Sequence, residues 1–154
     1  SDTALRSSDL KPTPENTLLL FEDGELGIKF LYPRRWRVVS VNGRQVTMEE
    51  PRGGGLLLTV EPPGKVPTAD AFQRETQTYL RQQKWTLGLV GAPRTVADKP
   101  ARVERFGFDA EANRQKIRME YAVVSQPEGG VTAAARVPAT ERDALATDVD
   151  WIVR

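Results

Sequence analysis

Three arginines crowd one corner of the sequence, Arg34, Arg35 and Arg37, directly after Pro33. A guanidinium fork matches carboxylates and phosphates, so this corner could hold an acidic partner or an anion. The simpler reading is a solvated turn in which Arg37 pairs with a nearby carboxylate. A second basic group, Arg114, Lys116 and Arg118, occupies alternate positions. On a strand that spacing puts all three on one face, either exposed or lying with their stems under a covering helix. Trp85 directly follows a helical stretch, where an aromatic ring could belong to a groove. Trp36 and Trp151 stand beside apolar stripes and read as core anchors. The candidate partner-binding residues are therefore Arg34, Arg35 and Trp85, for a protein partner or a small ligand.

The remaining groupings select no chemistry. Glu22-Asp23-Gly24-Glu25 lacks the spacing of an EF-hand calcium loop. Gly53-Gly54-Gly55 is followed by neither Lys-Ser nor Lys-Thr and precedes a strand, so it is no phosphate loop; Gly88 and Gly91 lack the dinucleotide pattern. Asp143 and Asp150 share one helical face and read as a solvated stripe. The chain has no histidine and no cysteine. That removes Ser-His-Asp and Cys-His nucleophile systems, the HExxH zinc site, the commonest general base, disulfides and thiolate zinc. A carboxylate pair could still hydrolyse a glycosidic bond, yet nothing in the spacing singles out two acids. No catalytic residue, cofactor or metal ligand is predicted.

Charge and length narrow the classes further. Lys plus Arg number 22 against 21 Asp plus Glu, a formal charge of +1, so no general attraction to nucleic acid or anionic membrane is expected. With 154 residues and 39% hydrophobic content the chain can build a core, and no apolar run is long enough to span a bilayer. Residues 1–16 are polar, with Pro12 and Pro14, and read as a poorly ordered lead-in; 17–154 read as one domain.

The elements that position these residues are mostly strands. Thr17–Glu22 is a short apolar strand, with Gly24 free to take positive φ in the turn after it. Ile28, Phe30 and Tyr32 alternate with Lys29 and Leu31, and Pro33 ends that strand. Trp36–Val41 and Arg44–Glu50 flank Asn42-Gly43, a strong type I′ hairpin signal, with Val46 and Met48 inward. Leu56–Val60 is nearly continuous in apolar residues and reads as central, covered on both faces. A helix is predicted from Thr68 to about Lys84, with Thr68 as N-cap and Phe72, Thr76, Tyr79, Leu80 and Gln83 as its stripe. Thr86–Val90 and Arg94–Ala97 are short strands. Ala101–Asp109 and Arg114–Gln126 form a hairpin, with Ile117, Met119, Tyr121 and Val123 on its inner face. Val131–Val137 returns after Pro127-Glu128-Gly129-Gly130. Pro138 opens a last helix with the stripe Leu145, Val149, Ile152 and Val153.

Gly27-Ile28-Lys29-Phe30-Leu31-Tyr32-Pro33 followed by Trp36-Arg37-Val38 resembles the opening motif of PsbP-like domains. Ala133-Ala134-Ala135-Arg136-Val137-Pro138, Asp143-Ala144-Leu145 and Val149-Asp150-Trp151-Ile152-Val153 resemble that family's last strand and closing helix. The resemblance spans about residues 18–154. It implies an α+β fold, an α/β/α sandwich with a central antiparallel sheet of about six or seven strands and helices on both faces. The wider superfamily serves mostly as binding or assembly proteins, so a non-enzymatic binding module, placed outside the cytoplasm, is the expected function. A small-ligand carrier with a pocket between sheet and helix is the alternative, and a carboxylate hydrolase the remote one. Metal-binding histidines of photosystem members have no counterpart here.

Overall fold

The structure, a computed structural model, describes residues 18–141. Two strands, β1 (Leu18–Asp23) and β2 (Ile28–Pro33), form a separate antiparallel hairpin. Asp23 shapes its turn: the Oδ1 atom accepts from the Glu25 and Leu26 amides, both at 3.0 Å. This acidic cluster thus folds its own loop as an Asx-type turn. Gly27, not Gly24, takes the positive φ, at 70°, because the chain must reverse into β2 at that point.

The main sheet is antiparallel and has eight strands: β3 (Arg37–Asn42), β4 (Gln45–Glu49), β5 (Gly55–Glu61), β6 (Thr86–Leu87), β7 (Arg94–Ala97), β8 (Arg102–Ala112), β9 (Gln115–Gln126) and β10 (Gly129–Pro138). The order is β3-β4-β5-β10-β9-β8-β6, and β7 also pairs with β8. The sheet is larger than expected because β6 and β7 share β8 as a partner. The Asn42-Gly43 turn joins β3 to β4, with Gly43 at φ 60°. β8 runs on to Ala112, beyond the expected end at Asp109, and its turn into β9 is Asn113-Arg114.

Among the described residues one α-helix, α1 (Ala69–Gln82), covers one face of the sheet. The Thr68 hydroxyl accepts from the Ala71 amide at 3.1 Å, the capping read from the sequence. Its apolar stripe is narrower than expected. Ala69 and Leu80 are buried, whereas Tyr79 is 61% exposed and Gln83 is exposed. At about 100° per residue Tyr79 stands roughly a quarter turn from Leu80. That rotation carries it off the face that meets the sheet.

The sheet separates two cores. On the α1 face, Phe106, Phe108, Ala110, Ile117, Met119, Tyr121 and Leu80 pack together with Phe72, Trp85 and Leu87. On the other, Trp36, Val46, Met48, Leu56, Leu58, Ala122, Ala133, Ala135 and Val137 pack together, and the β1–β2 hairpin lays Phe21, Ile28, Phe30 and Tyr32 against them. Helices on both faces are therefore not seen among the described residues: a hairpin is the second cover. The expected last helix, with Asp143, Asp150 and Trp151, and the polar lead-in of residues 1–16 lie outside the described residues; a 3-10 turn, Ala139–Glu141, follows β10.

Candidate functional site

The hairpin covers its sheet face incompletely. Between its tip and the sheet runs a half-open cleft of about 960 Å³. Ile28 and Phe30 form one wall, and the segment from Val96 to Ala101, joining β7 to β8, forms the other. The floor comes from four adjacent strands: Leu58 and Val60 of β5, Val131 of β10, Val124 of β9 and Val103 of β8. Lys29, Lys99, Glu61, Gln126 and Glu128 stand around the opening. The floor follows from strand alternation, since Val131 pairs with Val60 and with Val124, and Val124 with Val103. β-Branched residues with short side chains leave the floor low, so the cleft is not filled from below.

This floor carries no nucleophile, acid or base. Its apolar residues can take an apolar group out of water, worth about 25 cal/mol for each Å² removed, and the charged rim can orient a polar end. A second depression of about 450 Å³ runs along the outward face of α1, lined by Arg74, Glu75, Thr78 and Tyr79. It is shallow and follows the exposed side of one helix.

Elsewhere several acids are tied into the fold. Glu50 is 6% exposed, and its carboxylate accepts from the Arg52 amide at 2.7 Å and from Arg52 Nε at 2.9 Å. Gly53, at φ 101°, allows the chain to turn back on it. Arg118 does not stand free as part of a basic stripe: its Nε donates to Glu120 at 2.9 Å, and its Nη1 reaches Asp109 at 3.4 Å. A Cβ at Gly107 would meet Glu120 Oε2 at 2.5 Å and Arg118 Nη2 at 2.8 Å, so this glycine makes room for the pair. Among the described residues no cluster of acids is placed to hold a metal ion. Burial pushes the Tyr121 hydroxyl well above the ordinary tyrosine range, against a smaller downward pull from its hydrogen bond with Thr76.

The structure does not bring the three predicted partner-binding residues together. Arg34 and Arg35 precede β3 at one edge of the sheet, and Trp85 precedes β6 at the other, roughly 29 Å away at ordinary strand spacing. Arg37 pairs with Glu49 at 3.4 Å, as the simpler reading of the corner expected. Trp85 is half-buried against the α1-face core, and Arg136 lies over its ring at 5.1 Å. The cleft itself was not identified from sequence. Gly27, beside the aromatic alternation, was the nearest signal, since it marks where the hairpin turns and lines the cleft at its tip.

No protein-family model and no curated protein matches the sequence. Solved structures do match. Cyanobacterial PsbP (CyanoP) from Synechocystis aligns with a TM-score of 0.66 at 16% identity, covering 88% of this chain and 88% of that one. The chain has the PsbP-like fold. The Ran-binding protein Mog1p of Saccharomyces cerevisiae shares it, with a TM-score of 0.56 and 14% identity over 88% of this chain and 85% of that one. At these identities the likeness concerns the fold, and the PsbP-like fold sets no chemistry by itself.

Proposed function

We propose that this PsbP-like domain is a non-catalytic binding module whose site is the cleft between the β1–β2 hairpin and the sheet. One observation carries the reading: an opening of about 960 Å³ with an apolar floor and a charged rim, within the range of ligand pockets, roughly 300–1,000 Å³. The occupant is the apolar part of a small ligand or of a partner's side chains. A neighbour in fold that is itself a Ran-binding protein supports a binding role. An extracytoplasmic setting belongs to the same reading and rests on the family resemblance; fractionation of cells carrying the full-length gene product tests it, and a cytoplasmic pool alone would remove it. No helix among the described residues is long and apolar enough to cross a membrane.

The test is a filled cleft. Wild-type protein should enhance the fluorescence of anilinonaphthalene sulfonate, an apolar anion, and Val131→Trp should abolish that while keeping the native circular dichroism. Equal enhancement by both proteins would place the dye elsewhere and remove the cleft as the site. Turnover of glycoside or ester substrates that is lost on changing Glu61 or Glu128 would overturn the non-catalytic reading.

A further inference from the structure

Three non-glycine residues among those described have positive φ: Lys84 at 69°, Asn113 at 49° and Arg114 at 64°. They meet at one corner. Thr86 pairs with Glu111, and β8 ends one residue later at Ala112. The antiparallel ladder therefore brings Lys84, two residues before Thr86, alongside the Asn113-Arg114 turn. Both lysine and arginine here stand where the backbone favours glycine. Lys84 occupies the left-handed position that ends α1, ordinarily glycine or asparagine. Arg114 is the second residue of a two-residue hairpin turn, for which Asn-Gly is the favoured pair. Local folding does not ask for these cations, and strain of this kind gathers at sites of use.

The neighbourhood adds charge of the same sign. Arg81 lies in the last turn of α1, and Arg136 covers Trp85. Glu111 and Lys116 oppose each other in the ladder on the sheet face away from α1, since their neighbours Ala110 and Ile117 lie in the α1-face core. Arg81, Lys84 and Arg114 are exposed and form no ion pair among the described residues, whereas Arg37, Arg52, Arg102 and Arg118 each meet a carboxylate. The helix dipole accounts for Arg81 and Lys84 near the α1 C-terminus, but not for Arg114 in a hairpin turn.

We propose that this corner docks an acidic segment of a protein partner, its carboxylates meeting Lys84 and Arg114 beside the Trp85–Arg136 stack. Charge complementarity sets the sign, and Arg136, held over the Trp85 ring, adds a positioned guanidinium to the patch. A nucleic acid is disfavoured by a formal charge of +1 over the chain, which gives no long-range pull on a polyanion. A membrane is disfavoured because the Trp85 ring packs on the core beneath a charged cap and cannot enter a bilayer. This surface is separate from the cleft.

The test uses the whole chain and a fluorescein-labelled peptide of alternating glutamate and leucine, followed by anisotropy. The double variant Lys84→Gly, Arg114→Gly should weaken binding about tenfold and raise the thermal midpoint, because it relieves both strained positions. Val131→Trp, in the cleft, should leave peptide binding unchanged, which separates failure here from failure of the cleft reading. The proposal is overturned if the peptide does not bind, if the double variant binds it as well as wild type, or if the double variant melts lower. Tighter binding to an oligonucleotide or to phosphatidylglycerol vesicles than to the peptide would overturn it in favour of those partners.

Discussion

The two faces of the main sheet are covered by different means, and the difference separates the closed part of the molecule from the open part. On one face a 14-residue helix closes over an aromatic cluster. Phe106 stacks on Tyr121 at 4.7 Å, and Phe72 meets both rings edge-on at 5.8 and 5.7 Å. On the other face the sheet offers Ala122, Ala133 and Ala135, and a narrow hairpin supplies the bulk through Phe21, Phe30 and Tyr32. Those rings are half-buried where Phe108 is wholly buried. A helix with a periodic apolar stripe can seal a sheet along its length. A two-stranded ribbon covers only the strands beneath it, and where it stops the sheet is left open. The cleft is that uncovered area.

The largest effects should fall in the closed parts. Phe108→Ala on the helix face and Trp36→Ala in the closed part of the hairpin face should each cost about 3–5 kcal/mol in urea unfolding, since both are almost inaccessible to solvent. An unchanged midpoint for Trp36→Ala would show that it does not anchor its core. Phe30→Ala, on the cleft wall, should cost about 1–2 kcal/mol, in line with partial burial. If it costs as much as Phe108→Ala, the hairpin face is as tightly packed as the other and the contrast fails.

A smaller effect tests the seal over Tyr121. An unfolded tyrosine titrates near pH 10, and burial keeps this one protonated to higher pH. Above about pH 10 the unfolded chain therefore binds fewer protons than the native one, so the contribution to stability is complete below that pH and falls as pH rises. Tyr121→Phe should cost about 1 kcal/mol at neutral pH for its lost hydrogen bond and flatten the alkaline decline. A variant with the wild-type alkaline slope would mean that Tyr121 is hydrated in the native state.

Much of the sheet was legible because alternation is a local signal. Ile117, Met119, Tyr121 and Val123 are all buried, and Arg94–Ala97 is a strand with the bounds read from sequence. What failed was non-local or lacked punctuation. Alternation does not say which strand a strand will pair with, so the separation of β1 and β2 into their own sheet could not be read. The β8–β9 turn was placed too early because no glycine marks Asn113-Arg114, and it is this missing glycine that now gives the corner its interest. Gly107 sat unexplained inside a strand pattern. A mid-strand glycine signals close approach, and here what approaches is the Arg118–Glu120 pair. The candidate residues fared by the same logic: Trp85 gains meaning from Arg136, a residue far away in sequence that lies over its ring, whereas Arg34 and Arg35 stand apart from it at the far edge.

The central claim, an open apolar site on the hairpin face and a sealed core on the helix face, is tested most directly by methyl-resolved NMR during titration with anilinonaphthalene sulfonate. The methyl signals of Ile28, Val103, Val124 and Val131 should shift together and saturably, while those of Leu80, Ile117 and Met119 stay in place. Shifts centred on the helix-face methyls, or none in the cleft, would contradict the account.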